Sequence, residues 1–346
     1  MNSLRYGYFP GCSLEHNAAA YHKSTLAIAR PLGIDFEEVD DWNCCGATEY
    51  ISLNMMASMA LIARNLAQAA KNPPGGGVSA HGQGNGQRTV VAPCSACYLN
   101  LRKCDHYLQT SPELAEQVNA ALAAGGLSYQ AGTVKVRHLV DVIYSDIGCE
   151  AVAAHVTKPL TGLRVAPYYG CLISRPRLGL DGHDTEYPTV LDEILASIGA
   201  TVIDFPLKTH CCGGHMTQIS EGTGFELIRQ LVKGAADSGA DAIVTLCPMC
   251  QLNLDAFQGA MNRYFKTSYH VPVLYFTQVM GLAFGMSAQE VEIGSELVDA
   301  RPALAKIGVE LPPAPEPAPK RRRDDKSLPM PSKKRQSAPP AQEAKR

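Results

Sequence analysis

The chain has 346 residues, room for two domains of ordinary size. Its 46% hydrophobic and 18% charged residues are those of a globular protein, and a formal charge of −2 gives no overall reason to expect a nucleic-acid or membrane-surface partner. No run reaches the ~18 apolar residues of a spanning helix, and no signal peptide leads the sequence, so the chain reads as cytoplasmic, where clustered thiols bind metal more often than they pair.

Leu4-Arg-Tyr-Gly-Tyr-Phe reads as a strand that delivers Cys12 through Pro10-Gly11. An alanine-rich helix is expected from about Asn17 to Pro31, then a strand from Ile34 to Val39, leading into Trp42-Asn-Cys44-Cys45-Gly46. A helix follows from Met55 to Ala70. Residues 72–88 carry Pro-Pro-Gly-Gly-Gly and three further glycines, a low-complexity surface insert. It lacks the lysine of a phosphate-binding loop and precedes a strand, not a helix. That strand, Thr89-Val-Val-Ala, enters Cys94-Ser-Ala-Cys97, with a helix starting near Cys97.

The second half repeats this order. Leu163 to Cys171 matches the first strand and its cysteine. A helix around Thr189 to Ile198 and the strand Thr201 to Phe205 lead to His210-Cys211-Cys212-Gly213-Gly214. Phe225 to Ala236 is the next helix, and Ala242-Ile-Val-Thr-Leu the strand into Cys247-Pro-Met-Cys250. Even the flanks agree: Cys97-Tyr-Leu-Asn-Leu matches Cys250-Gln-Leu-Asn-Leu. The gap between the cysteine pair and the Cys-x-x-Cys is 48 residues in the first half and 34 in the second, a difference that the glycine-rich insert accounts for.

Strands alternating with helices predict an α/β fold of two pseudo-symmetric domains around mostly parallel sheets, residues 1–150 and 151–286. In such sheets the loops at the carboxyl ends of the strands form the ligand crevice, and every repeated cysteine falls there. Residues 287–310 form a terminal segment, with a helix expected from Gln289 to Ile307. Residues 311–346 are Pro-rich and basic, ten Lys/Arg against four Asp/Glu, and read as a disordered tail. Such a tail suits a solubilising appendix better than a tether to an acidic partner.

Ten of the 12 cysteines fall into two matching sets of five: Cys12, Cys44, Cys45, Cys94 and Cys97, then Cys171, Cys211, Cys212, Cys247 and Cys250. A tetrahedral zinc site or a cubane iron–sulfur cluster takes four ligands. Five thiolates overfill either, which leaves the fifth as a spare, a bridge or a catalytic group. Gly46, Gly213 and Gly214 allow backbone to approach a bulky inorganic centre. Backbone N–H groups at the helix starts after Cys97 and Cys250 suit a net-negative one. Zinc in both sets remains an alternative from spacing alone.

Two copies of Cys…Cys-Cys-Gly…Cys-x-x-Cys resemble the cysteine-rich CCG domain family, and the tandem pair is similar to the B subunit of heterodisulfide reductase, over roughly Leu4 to Gly285. The resemblance implies two noncubane 4Fe-4S clusters, one held by each set of five, facing a disulfide that is cleaved or formed between them. It implies partners too: a ferredoxin-like iron–sulfur C subunit and a flavin-containing A subunit, since the chain carries neither a ferredoxin cysteine run nor a dinucleotide fingerprint. The substrate would be a small-molecule or protein-carried disulfide or thiol pair. His210 and His215 flank the second cysteine pair and are candidate proton donors, though each also suits an ordinary loop or cap. Two other readings stay open at this level. One is the E-type electron-transfer subunit of a succinate:quinone or thiol:fumarate reductase, and the other a zinc-stabilised scaffold. Cys104 and Cys149 have no counterpart in the other half; Cys104 suits core packing. Trp42 beside the first pair is a lid or a core aromatic.

Overall fold

The computed structural model describes residues 4–47, 50–71, 88–174 and 178–311. Among the described residues eight strands form two four-stranded sheets. The first sheet contains β1 (Leu4–Tyr8), β2 (Ile34–Glu38), β3 (Arg88–Ala92) and β4 (Val134–His138) in the order β2-β1-β3-β4. The second contains β5 (Arg164–Tyr168), β6 (Thr201–Val202), β7 (Ala242–Thr245) and β8 (Val273–Tyr275) in the order β6-β5-β7-β8. Every pairing is parallel. The fold is therefore α/β with two repeats of one topology, as the sequence repeat predicts.

Strand composition follows strand position. Central β7 is buried at all four residues and reads as a continuous apolar run, as a strand covered on both faces must. Edge strand β2 carries Asp35, Glu37 and Glu38 outward, and these charges discourage pairing with another chain. In each sheet the chain leaves the first strand for one neighbour, then crosses to the other side. The switch point lies between β1 and β3, and again between β5 and β7. In parallel α/β sheets ligands bind beyond the carboxyl ends of the strands at such a point. Cys12 and Cys94 leave β1 and β3 at that point; Cys171 and Cys247 leave β5 and β7.

Four boundaries differ from the sequence expectation. β6 ends at Val202, not Phe205, because the chain turns back so that the Lys208 carbonyl accepts the Tyr169 and Gly170 amides at 2.9 and 3.1 Å. The helices Ser95–Thr110 and Pro248–Ala256 begin right after Cys94 and Cys247, before the second cysteine of each pair. Proline at the first turn of the latter costs no hydrogen bond. No long terminal helix forms over Gln289 to Ile307; only Arg301–Leu304 is α-helical, with a 3-10 turn at Ala305–Ile307. The positive φ of Glu292 (56°) and Gly294 (111°) breaks the pattern. The Asp255 carboxylate then accepts the Leu297 and Val298 amides at 2.8 and 2.9 Å, fixing this stretch as a loop. The glycine-rich insert and the basic tail lie outside the described residues, except that Arg88 opens β3 and Leu311 ends the described chain.

The core joins the halves. One apolar cluster runs from Tyr6 in β1 through Val244 in β7 to Leu304, and a second sits only beneath β5–β8. At the junction Tyr21 and Tyr275 stack at 4.4 Å with rings nearly parallel. The fully buried Tyr21 hydroxyl donates to both Pro93 O and Leu246 O, each at 3.2 Å. These are the carbonyls just before Cys94 and Cys247. One tyrosine of the first half thus holds the ligand turns of both. Among the described residues, no helix is long and apolar enough to cross a membrane.

Candidate metal centres

Each set of five cysteines is assembled from three strand ends. In the first half, Gly11 stands at φ 72° just before Cys12, and a Cβ there would lie 2.8 Å from Cys97 Sγ. In the second, Gly170 stands at φ 71° just before Cys171, and a Cβ would lie 2.8 Å from Cys250 Sγ. Only glycine admits both the left-handed backbone and the close approach. Sequence reasoning missed both residues, although Gly-Cys in each copy is a visible signal.

The sulfurs are close. Cys12 and Cys44 Sγ lie 3.4 Å apart, Cys45 and Cys97 Sγ 3.3 Å. Cys44 and Cys45, Cys97 and Cys94, Cys247 and Cys250, and Cys250 and Cys212 also shift one another's protonation. Cys94 and Cys247 do so across the junction. The thiols of the two halves are therefore linked electrostatically. The neighbouring helices cross in the same way: Ser95–Thr110 packs on Cys171–Ser174, and Cys12–Glu15 on Pro248–Ala256.

Protons are shared unevenly among these thiols. Hydrogen bonds from Cys44 and Cys97 hold the Cys45 thiol well below the usual range, and those from Cys250 and Cys94 do the same for Cys247. Their partners are pushed up. Such a donor set gives up protons when a thiophilic metal enters.

All five cysteines of the second set line a single cavity of about 200 Å³, together with Gly213, Gly214 and His215. The Gly213 and Gly214 amides donate to Cys211 and Cys212 Sγ, each at 3.4 Å. Leu172, Met216, Ile219 and Met249 supply an apolar wall. Among the described residues no group of three or more His, Cys, Asp or Glu is spaced for a single metal ion. The cavity has the volume of a multi-atom centre, its walls carry sulfur donors, and backbone N–H groups aim at those sulfurs. The residues fit an iron–sulfur centre.

Of the two candidate proton donors, His215 lines the cavity at the N-terminus of the turn Met216–Ile219. His210 is exposed, with its carbonyl accepting the Tyr168 hydroxyl at 2.7 Å. Gly46 packs against Tyr50. Trp42 packs edge-on against Phe9 at the rim and donates to Glu38 at 2.8 Å. Cys104 is a core residue, fully buried, its thiol pushed up to about 12 by burial, and its Sγ donates to the Met59 carbonyl. Cys149 is half-buried at the start of the helix Cys149–Ala154.

Two supporting asparagines are legible in the sequence as a repeat but not as a function. Asn100 Nδ2 donates to Cys45 O at 3.2 Å and Ala47 O at 2.6 Å, and Asn253 Nδ2 donates to Cys212 O. Each lies three residues after its Cys-x-x-Cys and pins the turn bearing the cysteine pair.

The model of the cysteine-rich CCG domain matches twice, at residues 6–102 and 165–255. The 8-methylmenaquinol:fumarate reductase membrane anchor subunit of Wolinella succinogenes is 34% identical, over 85% of this chain and 97% of that one. The B subunit of a ferredoxin:CoB-CoM heterodisulfide reductase from Methanosarcina mazei is 30% identical, over 89% and 97%. A protein of Archaeoglobus profundus, described as like the B subunit of heterodisulfide reductase, is 29% identical, over 83% and 93%. In fold, a crystal structure of a hypothetical protein from Helicobacter pylori aligns with a TM-score of 0.66 at 16% identity; the match covers 85% of this chain and about half (52%) of that one. With two matched cysteine-rich repeats on two matching sheets, this chain belongs to the CCG cysteine-rich domain family, in the tandem form shared with the B subunit of heterodisulfide reductase.

Proposed function

We propose that this chain is the iron–sulfur subunit of a cytoplasmic heterodisulfide reductase-like complex, in which each set of five cysteines holds a noncubane 4Fe-4S cluster. The observation that carries this reading is the cavity lined by all five second-set cysteines. Bound there, a cluster in each set supplies one electron, two together being what cleaving a disulfide requires. The chain's own residues do the rest. The Gly213 and Gly214 amides stabilise negative charge on the sulfurs. Leu172, Met216 and Met249 give the cavity an apolar wall, and His215 stands at that wall to deliver a proton to a departing thiolate. His210, exposed beside the same turn, is the second candidate for proton delivery. Electrons arrive from a ferredoxin-like C subunit and a flavin-bearing A subunit.

The fumarate reductase relative favours a second reading, an electron-transfer subunit that takes electrons from a quinol. Purification without oxygen, with partner subunits retained, separates the readings. About eight irons and eight sulfides per chain, with turnover of a mixed disulfide, support the first. Turnover of a quinol analogue with no disulfide activity supports the second. Colourless protein carrying stoichiometric zinc overturns both in favour of a scaffold. Within the first reading, His215→Asn should lower disulfide turnover while leaving iron content unchanged, and unchanged turnover removes His215 from proton delivery.

A further inference from the structure

The two centres are not equivalent, and the difference comes from across the junction. Ser95 is the residue after Cys94, in the Cys-x-x-Cys turn of the first half. It is 1% exposed, and its hydroxyl is buried with no hydrogen-bond partner. Its side chain nevertheless lines the cavity formed by the second set of cysteines. A buried hydroxyl left unsatisfied destabilises the fold, and here the group that would satisfy it is whatever fills that cavity. The matching position in the second half is Pro248, which has no hydroxyl to give back.

We propose that Ser95 is a cross-half positioning residue: its hydroxyl donates a hydrogen bond to a sulfur of the centre in the second set and makes that centre the easier of the two to reduce. The inference rests on the iron–sulfur reading above. A donor to a sulfur stabilises the more negative, reduced state, so the reduction potential rises. With Pro248 offering no counterpart, an electron placed on the pair of centres settles in the second half, beside His215.

The test is a one-electron redox titration of the whole protein with dithionite, under argon, followed by electron paramagnetic resonance. Cys212→Ser identifies the second centre's signal. Ser95→Ala should lower the midpoint of that signal alone, shifting its reduction equilibrium about tenfold, ~59 mV for one electron. Ser95→Thr, which keeps the hydroxyl, should restore it. In the metal-free chain the alanine variant should be at least as stable as wild type, because it removes an orphan donor; this also shows that the variant folds. Full iron content with no midpoint change in Ser95→Ala, or an equal change in both centres, overturns the Ser95 proposal and leaves the iron–sulfur reading standing. A wild-type protein without iron overturns both.

Discussion

At the scale of single residues, the site depends on groups that bring chain segments together as much as on the sulfurs. Gly170→Ala forces a Cβ to 2.8 Å from Cys250 Sγ at a φ of 71°. The backbone term alone costs ~1–2 kcal/mol. The expected outcome is a protein that folds with a lower denaturation midpoint and loses roughly half its iron, with Gly11→Ala removing the other half. Equal iron in wild type and variant would show that neither glycine limits the approach. Asn253→Ala leaves Cys212 O without its side-chain donor, a loss of ~1–3 kcal/mol readable by urea titration. The ten cysteines are legible in the sequence because their spacing duplicates visibly. Gly11 and Gly170 show there only as a repeated Gly-Cys, and Ser95 not at all, because each acts through a neighbour far away in sequence.

At the scale of elements, the sheets and their long helices follow directly from apolar runs and glycine or proline stops. Two of the misplaced boundaries share a cause: a tertiary hydrogen bond overrides local preference, through the Lys208 carbonyl after β6 and the Asp255 carboxylate before Arg301. β4 carries a further polar device. Arg137 bonds Asp141 at 2.7 Å and Asp146 at 2.6 Å, and Asp146 also receives the Tyr6 hydroxyl, tying β4 to β1. Burial would raise the Asp141 carboxyl, but the Arg137 hydrogen bond and charge outweigh it and hold it below the ordinary range. Asp141 therefore contributes stability that is fully present above its unfolded value, about pH 4, and is lost as pH falls through the depressed folded value. Asp141→Asn should flatten the acid limb of the stability curve. Arg137→Met strands two buried carboxylates and should cost ~3–5 kcal/mol at neutral pH.

At the scale of the whole molecule, the repeat visible in the sequence suggests two separable copies, whereas the core passes through both. Pairing between halves has no periodicity to reveal it; Tyr21 looks like any helical tyrosine until its hydroxyl is seen between Pro93 O and Leu246 O. Residues 1–150 expressed alone expose the Tyr21 face and should fail to give a cooperative thermal transition by circular dichroism. Tyr21→Phe in the full chain should lower the midpoint of unfolding, a loss of ~1–3 kcal/mol, and should broaden the spectra of both centres together.

The spacing of the sulfurs also sets an order of decay in air. In a metal-free chain, Cys12 and Cys44 are exposed, with sulfurs only 3.4 Å apart, while Cys171 and Cys211 are half-buried and Cys212, Cys247 and Cys250 buried. Oxygen and peroxide reach exposed thiols first. Brief aeration should therefore cross-link Cys12 to Cys44, detectable by non-reducing peptide mapping, before the second set is touched. Protein handled carelessly would then rebuild its second centre and not its first, and a half-loaded sample would record its own history of exposure.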